Sequence, residues 1–252
     1  MKKRVIPLVL IDSGGKVVIS KQFNPWRTVG MLMQQIRLHD KRDADELIIL
    51  DINASSHGKK IPERILKIIS KNIKIPVTVG GGIKSVEDAK RYINLGADKV
   101  CICSLAIDNY IVITDMVKSL GSQAIVVNVN YVWFEAKPYL YDYRTSAMLN
   151  IELGEFVKKM ADCGAGEIIL TSVERDGMQI GFDQEILLYL DKFKVTVPIL
   201  ISGGSGNAAH YKKILTLNAD AAIGATIFAL TEHTPSSIRK ECEVENIPMR
   251  QI

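Results

Sequence analysis

Eight short apolar runs recur along the chain, and they constrain its fold more than any other feature. They are rich in Ile and Val and almost continuously apolar, as strands buried on both faces are. Amphipathic segments such as VEDAKRYINLG at 86–96 separate most of them. This alternation predicts the α/β class and a single closed (βα)8 barrel over residues 1–252. The predicted strands are Val5–Ile11, Leu47–Asp51, Val77–Gly80, Lys99–Cys103, Ala124–Asn130, Glu167–Thr171, Pro198–Ser202 and Ala221–Ala225.

The second half of the chain repeats part of the first at an offset of 122 residues, from Pro76 to Pro198. A glycine pair, an Ala-Asp pair and a hydroxyl residue all coincide at this offset. The sequence therefore predicts a TIM barrel with a half-barrel internal repeat, in which functional groups recur at corresponding places. The matched residues are Gly81 and Gly82 with Gly203 and Gly204, Ala97 and Asp98 with Ala219 and Asp220, and Ser104 with Thr226.

Two segments interrupt this pattern, and both emerge at the face where barrel enzymes carry their functional loops. Residues 12–29 are predicted to form a long loop after the first strand. Residues 131–149 follow the fifth strand and are predicted to form an aromatic hairpin, whose rings either cover a substrate or pack the hairpin itself. Those rings belong to Trp133, Phe134, Tyr139, Tyr141 and Tyr143.

Composition argues against several classes of function. The net charge of +4 is small and the Lys and Arg residues are scattered, so we expect no nucleic-acid partner. No run approaches the roughly 20 apolar residues that span a bilayer, and the N-terminal segment lacks a signal-peptide cleavage site. We therefore expect a cytoplasmic protein without a membrane partner. The four cysteines lack zinc-ligand spacing and no redox-cofactor motif occurs, so we expect buried reduced thiols, no metal and no cofactor.

Glycines after one predicted strand in each half of the repeat, with a hydroxyl residue after the next strand, indicate phosphate binding. A phosphate needs backbone N–H groups at close approach, and glycine permits that approach because it has no Cβ. Two sets on opposite sides of one barrel mouth indicate a small-molecule substrate with a phosphate at each end. The first set is Gly80, Gly81, Gly82 and Ser104; the second is Gly203, Gly204, Ala225 and Thr226.

Six motifs, VTVGGGI, GADKV, GSQAIVV, GAGEIILTSVERDGM, ISGGSG and NADAAIGATIF, span essentially the whole chain. In order and spacing they resemble the HisF family, the cyclase subunit of imidazole glycerol phosphate synthase. The resemblance implies a lyase (synthase) subunit that takes ammonia from a separate HisH-like glutaminase and adds it to a bisphosphorylated ribulosyl aminoimidazole carboxamide. It implies Asp51, Thr171 and Asp176 as polar active-site residues, and phosphate contacts at Gly82, Ser104, Gly204 and Thr226.

The chain departs from that family at its acid/base residues. The family has one aspartate at the end of the first strand and another at the end of the fifth, where this chain has Leu10 and Asn130. Neither replacement transfers protons at neutral pH, and losing a positioned acid or base costs about 10²–10⁴ in rate. Asp12 has the same facing parity as Leu10, but it could substitute only through a β-bulge. Cys103 and Ile19 also replace a polar and a basic residue usual in the family.

The opposite end of the barrel keeps the family's pattern. In HisF-like proteins Arg, Glu, Lys and Glu, at the N-terminal ends of alternate strands, form a ring of charges that gates the entry of ammonia. Arg4, Glu46, Lys99 and Glu167 occupy all four positions. An ordinary polar barrel floor is the alternative, but it would not require these four residues at these strand starts. Asp98 matches a residue that faces the glutaminase in that family.

Three hypotheses follow. The first is the true cyclase subunit of histidine biosynthesis, which Leu10 and Asn130 disfavour. The second, which we prefer, resembles HisF relatives that accompany the amidotransferases building acetamidino sugars on surface glycans. Such a paralogue keeps the barrel, the phosphate sites and the ammonia gate. The third is a non-catalytic ammonia-relay or regulatory subunit, which Asp51, Thr171 and Asp176 disfavour because a barrel without chemistry has no need of them.

Overall fold

The computed structural model of the protein describes residues 2–251, in which strands and helices alternate along most of the chain. The strands are β1 (Arg4–Ile11), β2 (Lys16–Ser20), β3 (Trp26–Met31), β4 (Leu47–Asp51), β5 (Val77–Gly80), β6 (Lys99–Ile102), β7 (Ile125–Phe134), β8 (Lys137–Asp142), β9 (Ala147–Glu152), β10 (Glu167–Ser172), β11 (Ile199–Ser202) and β12 (Ala221–Gly224). The helices are α1 (Leu32–Lys41), α2 (Glu63–Asn72), α3 (Val86–Asn94), α4 (Ser104–Asp108), α5 (Ile111–Leu120), α6 (Leu153–Asp162), α7 (Glu185–Asp191), α8 (Ala208–Thr216), α9 (Thr226–Leu230) and α10 (Pro235–Val244). The single domain over 1–252 stays a prediction, and its end residues Met1 and Ile252 lie outside the described part.

Eight parallel strands close into a barrel, which confirms the predicted fold class. The order around the barrel is β1, β4, β5, β6, β7, β10, β11 and β12, and β12 pairs with β1 to close it. All eight predicted strands are present, and seven of them keep their bounds to within one residue. The fifth, β7, runs four residues further than predicted, to Phe134, because its end pairs with β8.

Side chains of the barrel strands alternate between two cores. One face of each strand packs against the surrounding helices in a large apolar cluster. The other face fills the barrel interior, and Leu8 and Leu50 pack against that interior cluster. Burial on both faces explains why the strands read as continuous apolar runs. The interior cluster consists of Ile6, Ile48, Cys101, Val126, Ile169, Leu200, Ala221 and Ile223.

Helix α3 shows how the sequence sets the outer layer. The hydroxyl of Ser85 caps its start by accepting the backbone N–H of Asp88 at 3.2 Å. Ala89 and Tyr92 are buried against the barrel, and Gly96 follows the helix at a φ of +104°, a left-handed conformation that favours glycine. Within residues 2–251, no helix is both long and apolar enough for a bilayer crossing.

The Ala-Asp pair of the internal repeat has a backbone role. The Asp98 carboxylate accepts the N–H of Val77 at 2.8 Å, and the Asp220 carboxylate accepts that of Ile199 at 3.0 Å. Each aspartate thus holds the start of one strand beside the start of the next. The repeat is therefore present in the structure as well as in the sequence.

The prediction of a long loop at 12–29 is wrong, because most of this segment is a β-hairpin. Strand β2 pairs with β1 through Val17 and Val18, and β3 pairs with β2. Val17, Val18 and Ile19 are buried, and this short β-branched run favours an extended chain despite the glycines before it. We call β2, β3 and their connection, residues 16–31, the first hairpin.

The hairpin predicted for 131–149 is confirmed, since β7 and β8 pair antiparallel and β9 adds a third strand. Its rings divide between the two expected roles. Tyr141 and Tyr143 line a cavity, whereas Trp133 donates its Nε1–H to Asp183 at 2.7 Å. Phe134 and Tyr139 pack edge to face against each other. The hairpin rings therefore serve both the cavity and the packing.

Candidate functional site

A cavity of about 480 Å³ lies at the C-terminal end of the barrel, the end where barrel enzymes carry their sites. Leu8, Leu10 and Leu50 line it from the strands, next to the apolar interior. Further wall residues come from the ends of β4 to β7 and of β10, from the first hairpin and from β8. The cavity is therefore enclosed by strand ends below and by two hairpins.

Polar side chains from neighbouring strand ends converge on this cavity. Asp51, Asn130, Thr171 and Asp176 all line it, so the structure brings the predicted catalytic residues together. Asn128 lines it as well, and the sequence reasoning missed this residue. Its position two residues before Asn130 on a strand places both side chains on one face, which is the signal that would have found it.

A chain of hydrogen bonds links these groups. Thr171 Oγ1 donates to Asn128 Oδ1 at 3.0 Å, and Asn128 Nδ2 donates to Asn130 Oδ1 at 3.2 Å. Asn130 Nδ2 in turn donates to Cys103 Sγ at 3.6 Å. Burial raises the pKa of the Cys103 thiol to about 12, so the thiol stays protonated at neutral pH. The fifth-strand position therefore presents a fixed amide beside a neutral thiol.

The four cysteines are free thiols, as expected, but their burial differs. Cys101 and Cys242 are buried, whereas Cys103 and Cys163 are only half-buried, which corrects the expectation that all four are buried. Cys101 and Cys103 both line the cavity, so their two-residue spacing does place them on one face.

The two carboxylates that line the cavity, Asp51 and Asp176, each accept hydrogen bonds from nearby groups. Asp51 Oδ1 accepts the N–H groups of Asn53 at 2.9 Å and Ala54 at 3.0 Å, while burial raises the pKa of Asp51. Burial also raises the pKa of Asp176, to about 6, although Ser20 donates its hydroxyl to Asp176 Oδ2 at 3.3 Å. Asp176 therefore exchanges a proton near neutral pH, as a general acid or base requires.

Leu10 faces the cavity, so the inward position at the end of β1 carries an apolar side chain. The bulge that would let Asp12 replace it is absent, because β1 keeps continuous register with β4 from Leu8 to Ile11. Asp12 lies outside the cavity wall, and its carboxylate accepts the N–H groups of Gly14 at 2.9 Å and Lys16 at 2.8 Å. Asp12 thus shapes the start of the first hairpin.

Both glycine sets follow parallel strands at the same end of the barrel, but the cavity described above includes only the first of them. Gly80, Gly81, Gly82 and Ser104 line the cavity, but Gly203, Gly204, Ala225 and Thr226 do not. The first hairpin lies across the mouth, where the Gln22 N–H donates to the Asp176 carbonyl oxygen at 2.8 Å. Phosphate binding at either set stays a prediction.

Charged side chains form a closed ring at the opposite end of the barrel. Arg4 Nη1 donates to Glu46 at 2.6 Å and to Glu167 at 2.8 Å. Lys99 Nζ donates to the same two carboxylates, at 3.0 Å and 2.9 Å. Burial alone would raise the pKa of Glu46, but the nearby cations Arg4 and Lys99 outweigh it and lower that pKa. The four residues predicted as a gate therefore meet as an alternating ring of cations and carboxylates.

Two further residues stand at this end. Arg250 Nη1 donates to Glu46 Oε1 at 3.2 Å, a contact the sequence analysis did not anticipate because the two residues lie far apart in the chain. Asp98 is exposed beside Lys99, with one carboxylate oxygen committed to the N–H of Val77. An interface at Asp98 stays a prediction.

Removing one cation of the ring is expected to cost stability. Arg4→Met leaves the buried carboxylate of Glu46 and the half-buried one of Glu167 with fewer partners, so we expect the free energy of unfolding to fall by roughly 3–5 kcal/mol. Urea unfolding followed by circular dichroism measures this loss. Arg91→Met, which breaks an exposed pair with Glu63, is the control and should leave that free energy nearly unchanged.

The same ring makes the free energy of unfolding depend on pH. The folded-state pKa of Glu46 lies below its unfolded value of about 4.3. The stability that ionised Glu46 gives the fold is therefore fully present at pH values above the unfolded pKa. It is lost as pH falls through the depressed folded pKa. A stability profile of the Arg4→Met variant that shows the same acid loss as the unaltered chain would contradict this assignment.

Fold and site together define a (βα)8 barrel with a cavity at one end and a closed ring of charges at the other. A family model described as "Histidine biosynthesis protein" matches residues 4–234. A HisF subunit of imidazole glycerol phosphate synthase from Exiguobacterium sp. is 35% identical over 250 residues, covering 99% of this chain and 97% of the relative. The HisF subunit from Bacillus pumilus is 35% identical over 253 residues, covering 99% and 100%. The chain therefore belongs to the histidine biosynthesis protein family and, within it, to the HisF family.

A further relative is the hisF2 protein of Campylobacter jejuni, which is 36% identical over 253 residues and covers 99% of both chains. Its name assigns it provisionally to imidazole glycerol phosphate synthase and sets it apart by number from a first HisF. Such a number is typical of a paralogue. The chain is about equally similar to HisF subunits and to hisF2. Overall similarity therefore does not distinguish between their reactions, and the residues of the cavity must do so.

Proposed function

We propose that this chain is the ammonia-accepting subunit of a glutamine amidotransferase system, a HisF paralogue that serves sugar amidation. A HisH-like glutaminase supplies ammonia at the charged ring. The barrel carries the ammonia to the cavity, where a phosphorylated or nucleotide-linked sugar is held, for the synthesis of acetamidino sugars on surface glycans. One observation carries this proposal: the ring is complete, while the cavity lacks both aspartates of the cyclase.

The barrel interior supports the ammonia route. Between the ring and the cavity the interior is lined by apolar side chains, from Ile6 and Ile223 up to Leu8 and Leu50. Burial of an ammonium ion among such groups costs several kcal/mol, whereas neutral ammonia carries no such charge penalty. The interior therefore favours passage of ammonia in its neutral, nucleophilic form.

The cavity supports proton transfer, but with other groups than those of the cyclase. Asp51 and Asp176 are the two carboxylates that line it among the described residues. When ammonia replaces the oxygen of an acetamido group, water leaves, so the ammonia must lose two protons in all and the displaced oxygen must gain two. Asp51, held as an acceptor by two backbone N–H groups, suits the first step. Asp176, with its pKa near 6, suits the second.

The true cyclase is the second candidate, and the full-length similarity to HisF subunits favours it. It would require proton transfer at two positions that hold Leu10 and Asn130. The nearest replacement, Asp12, has its carboxylate engaged by Gly14 and Lys16 outside the cavity. A purely regulatory subunit would leave the convergence of Asp51, Thr171 and Asp176 without a purpose.

Reconstitution tests the proposed function. The purified chain is mixed with a HisH-like glutaminase, an acetamidino-type sugar amidotransferase, isotope-labelled glutamine and a nucleotide-linked acetamido sugar. We expect the label in the sugar product only when this chain is present. Equal labelling without the chain would contradict the proposal, and mass spectrometry of the sugar distinguishes the two results.

A further inference from the structure

A series of hydrogen bonds joins four side chains at the cavity wall, and its two middle members are asparagines of β7. Thr171 Oγ1 donates to Asn128 Oδ1 at 3.0 Å, and Asn128 Nδ2 donates to Asn130 Oδ1 at 3.2 Å. Asn130 Nδ2 then donates to Cys103 Sγ at 3.6 Å. Each amide oxygen is therefore turned towards a donor within the protein itself.

The same series leaves donor capacity on both amides. A side-chain amide carries two N–H groups. Within the part of the chain that the structure describes, Asn128 Nδ2 has one acceptor, the oxygen of Asn130, and Asn130 Nδ2 has one acceptor, the Cys103 sulfur. Both asparagines line the cavity, and their two-residue spacing places them on one face of β7. One N–H of each amide therefore remains for a ligand.

The two amides lie where the apolar interior of the barrel meets the cavity. Val126, two residues before Asn128 on β7, belongs to the interior cluster, and Leu8 and Leu50 line the cavity from other strands. Asn130 is only 5% exposed, and Asn128 is half-buried. An N–H group left unpaired in such surroundings costs free energy, and a ligand oxygen that accepts its hydrogen bond recovers that cost. The amides thus favour a ligand that presents a carbonyl oxygen.

The carboxylates of the cavity supply the opposite polarity. Asp51 ends β4, the third strand from β7 around the barrel, and Asp176 follows β10. An ionised carboxylate accepts hydrogen bonds and donates none. A ligand in the cavity therefore meets N–H donors at β7 and a proton acceptor at β4. The carbon of an amide group fits this division, because its oxygen needs donors while the ammonia that attacks it must give up a proton.

We propose that Asn128 and Asn130 bind the oxygen that ammonia replaces, the carbonyl oxygen of an acetamido group, and that Asn128 positions Asn130 for this contact. When ammonia attacks, the C–N bond forms and the π electron pair of the carbonyl moves onto the oxygen, while the first proton of the ammonia passes to Asp51. The two N–H groups stabilise the negative oxygen, as in an oxyanion hole. This inference rests on the proposed function for the identity of the acceptor group, and it gives position 130 a role without proton transfer.

Calorimetric titration of the full chain with a matched pair of nucleotide-linked sugars tests the proposal. The probes are UDP-N-acetylglucosamine and its thioacetamido analogue, in which sulfur, a weaker hydrogen-bond acceptor, replaces the acetamido oxygen. We expect the oxygen compound to bind about five- to ten-fold more tightly. Equal or tighter binding of the sulfur compound would overturn the proposal, and so would the failure of both compounds to bind.

Asn128→Ala separates this role from a merely structural one. One donor is lost and the amide of Asn130 becomes free to turn, so the preference for the oxygen compound should fall to about two-fold or less. Affinity for the sulfur compound should stay within about two-fold, whereas a general loss of packing would weaken both. A preserved preference would mean that the larger size of sulfur sets it, which contradicts the proposal. Asn72→Ala is the control and should keep the preference, because the Asn72 amide donates to the Ile68 carbonyl oxygen at 2.8 Å on α2, outside the cavity.

Asn128→Asp keeps the test decisive should the alanine variant fail to fold. It keeps the shape of the side chain and still accepts the Thr171 hydroxyl, but an ionised carboxylate has no N–H to donate. The preference should fall in the same way, and an unchanged preference would overturn the role of Asn128. Label transfer from glutamine is measured separately in the reconstituted system. Its absence with the oxygen preference intact would count against the proposed function alone, whereas transfer without that preference would count against the oxygen site alone.

Discussion

Replacing Lys99 by alanine is expected to reduce glutamine-fed amidation by on the order of ten- to a hundred-fold, while ammonium-fed amidation stays within about two-fold. Lys99 Nζ bridges Glu46 and Glu167 across the ring. Without it the two carboxylates repel each other and the ring no longer closes around the entering ammonia. Ammonium added to the solution reaches the cavity from its open side, so that route does not cross the ring.

The two rates are measured on the same enzyme preparation, with labelled glutamine or with labelled ammonium, by mass spectrometry of the sugar product. Lys118→Ala is the control, because Lys118 is an exposed lysine whose one ion pair among the described residues is with Asp115 at 3.8 Å. It should leave both rates unchanged. An equal loss of both rates in Lys99→Ala would show that the ring supports the fold without guiding ammonia.

Restoring both aspartates is expected to create cyclase activity. Leu10→Asp combined with Asn130→Asp places two carboxyl groups at positions that line the cavity. We expect ammonia-dependent turnover of the ribulosyl aminoimidazole carboxamide to rise by about 10²–10⁴ over the unaltered chain, the usual contribution of positioned acid/base groups. The fall in absorbance of this substrate measures the rate.

A variant with the first aspartate at position 8 in place of position 10 provides the control for this gain. Leu8 also lines the cavity, two residues before Leu10 on the same face of β1, so Leu8→Asp with Asn130→Asp carries the same charges nearer the barrel interior. This variant should gain nothing. Equal gains from both pairs would show that added charge, and not its position, produces the activity.

The barrel was predictable because its signal is local and repeated. Each barrel strand buries both faces, so composition alone marks it, and seven of eight bounds agree to within one residue. The first hairpin was not predictable in the same way. Its strands are short, and although the run of Val17, Val18 and Ile19 favours an extended chain, the pairing of Val17 and Val18 with β1 is a tertiary contact. Such tertiary pairing leaves little trace in a single sequence.

The candidate site was predictable wherever a residue follows a strand end or matches a family motif. Asp51, Thr171 and Asp176 meet in one cavity, and Arg4, Glu46, Lys99 and Glu167 meet in one ring. The docking of the first hairpin was not predictable, because its contacts with the segment after β10 join residues far apart in the chain. Arg250 was also missed, since its contact with Glu46 joins residues 204 positions apart in the chain.

Ammonia-dependent turnover of the bisphosphorylated ribulosyl aminoimidazole carboxamide by the unaltered, purified chain distinguishes a repurposed paralogue from a true cyclase. A HisF subunit such as that of Bacillus pumilus, assayed under the same conditions, provides the reference rate. We expect a rate at least about 10²-fold below that reference, because Leu10 and Asn130 transfer no protons. Turnover at the rate of the reference would show that the chain is a true cyclase and overturn its assignment to sugar amidation.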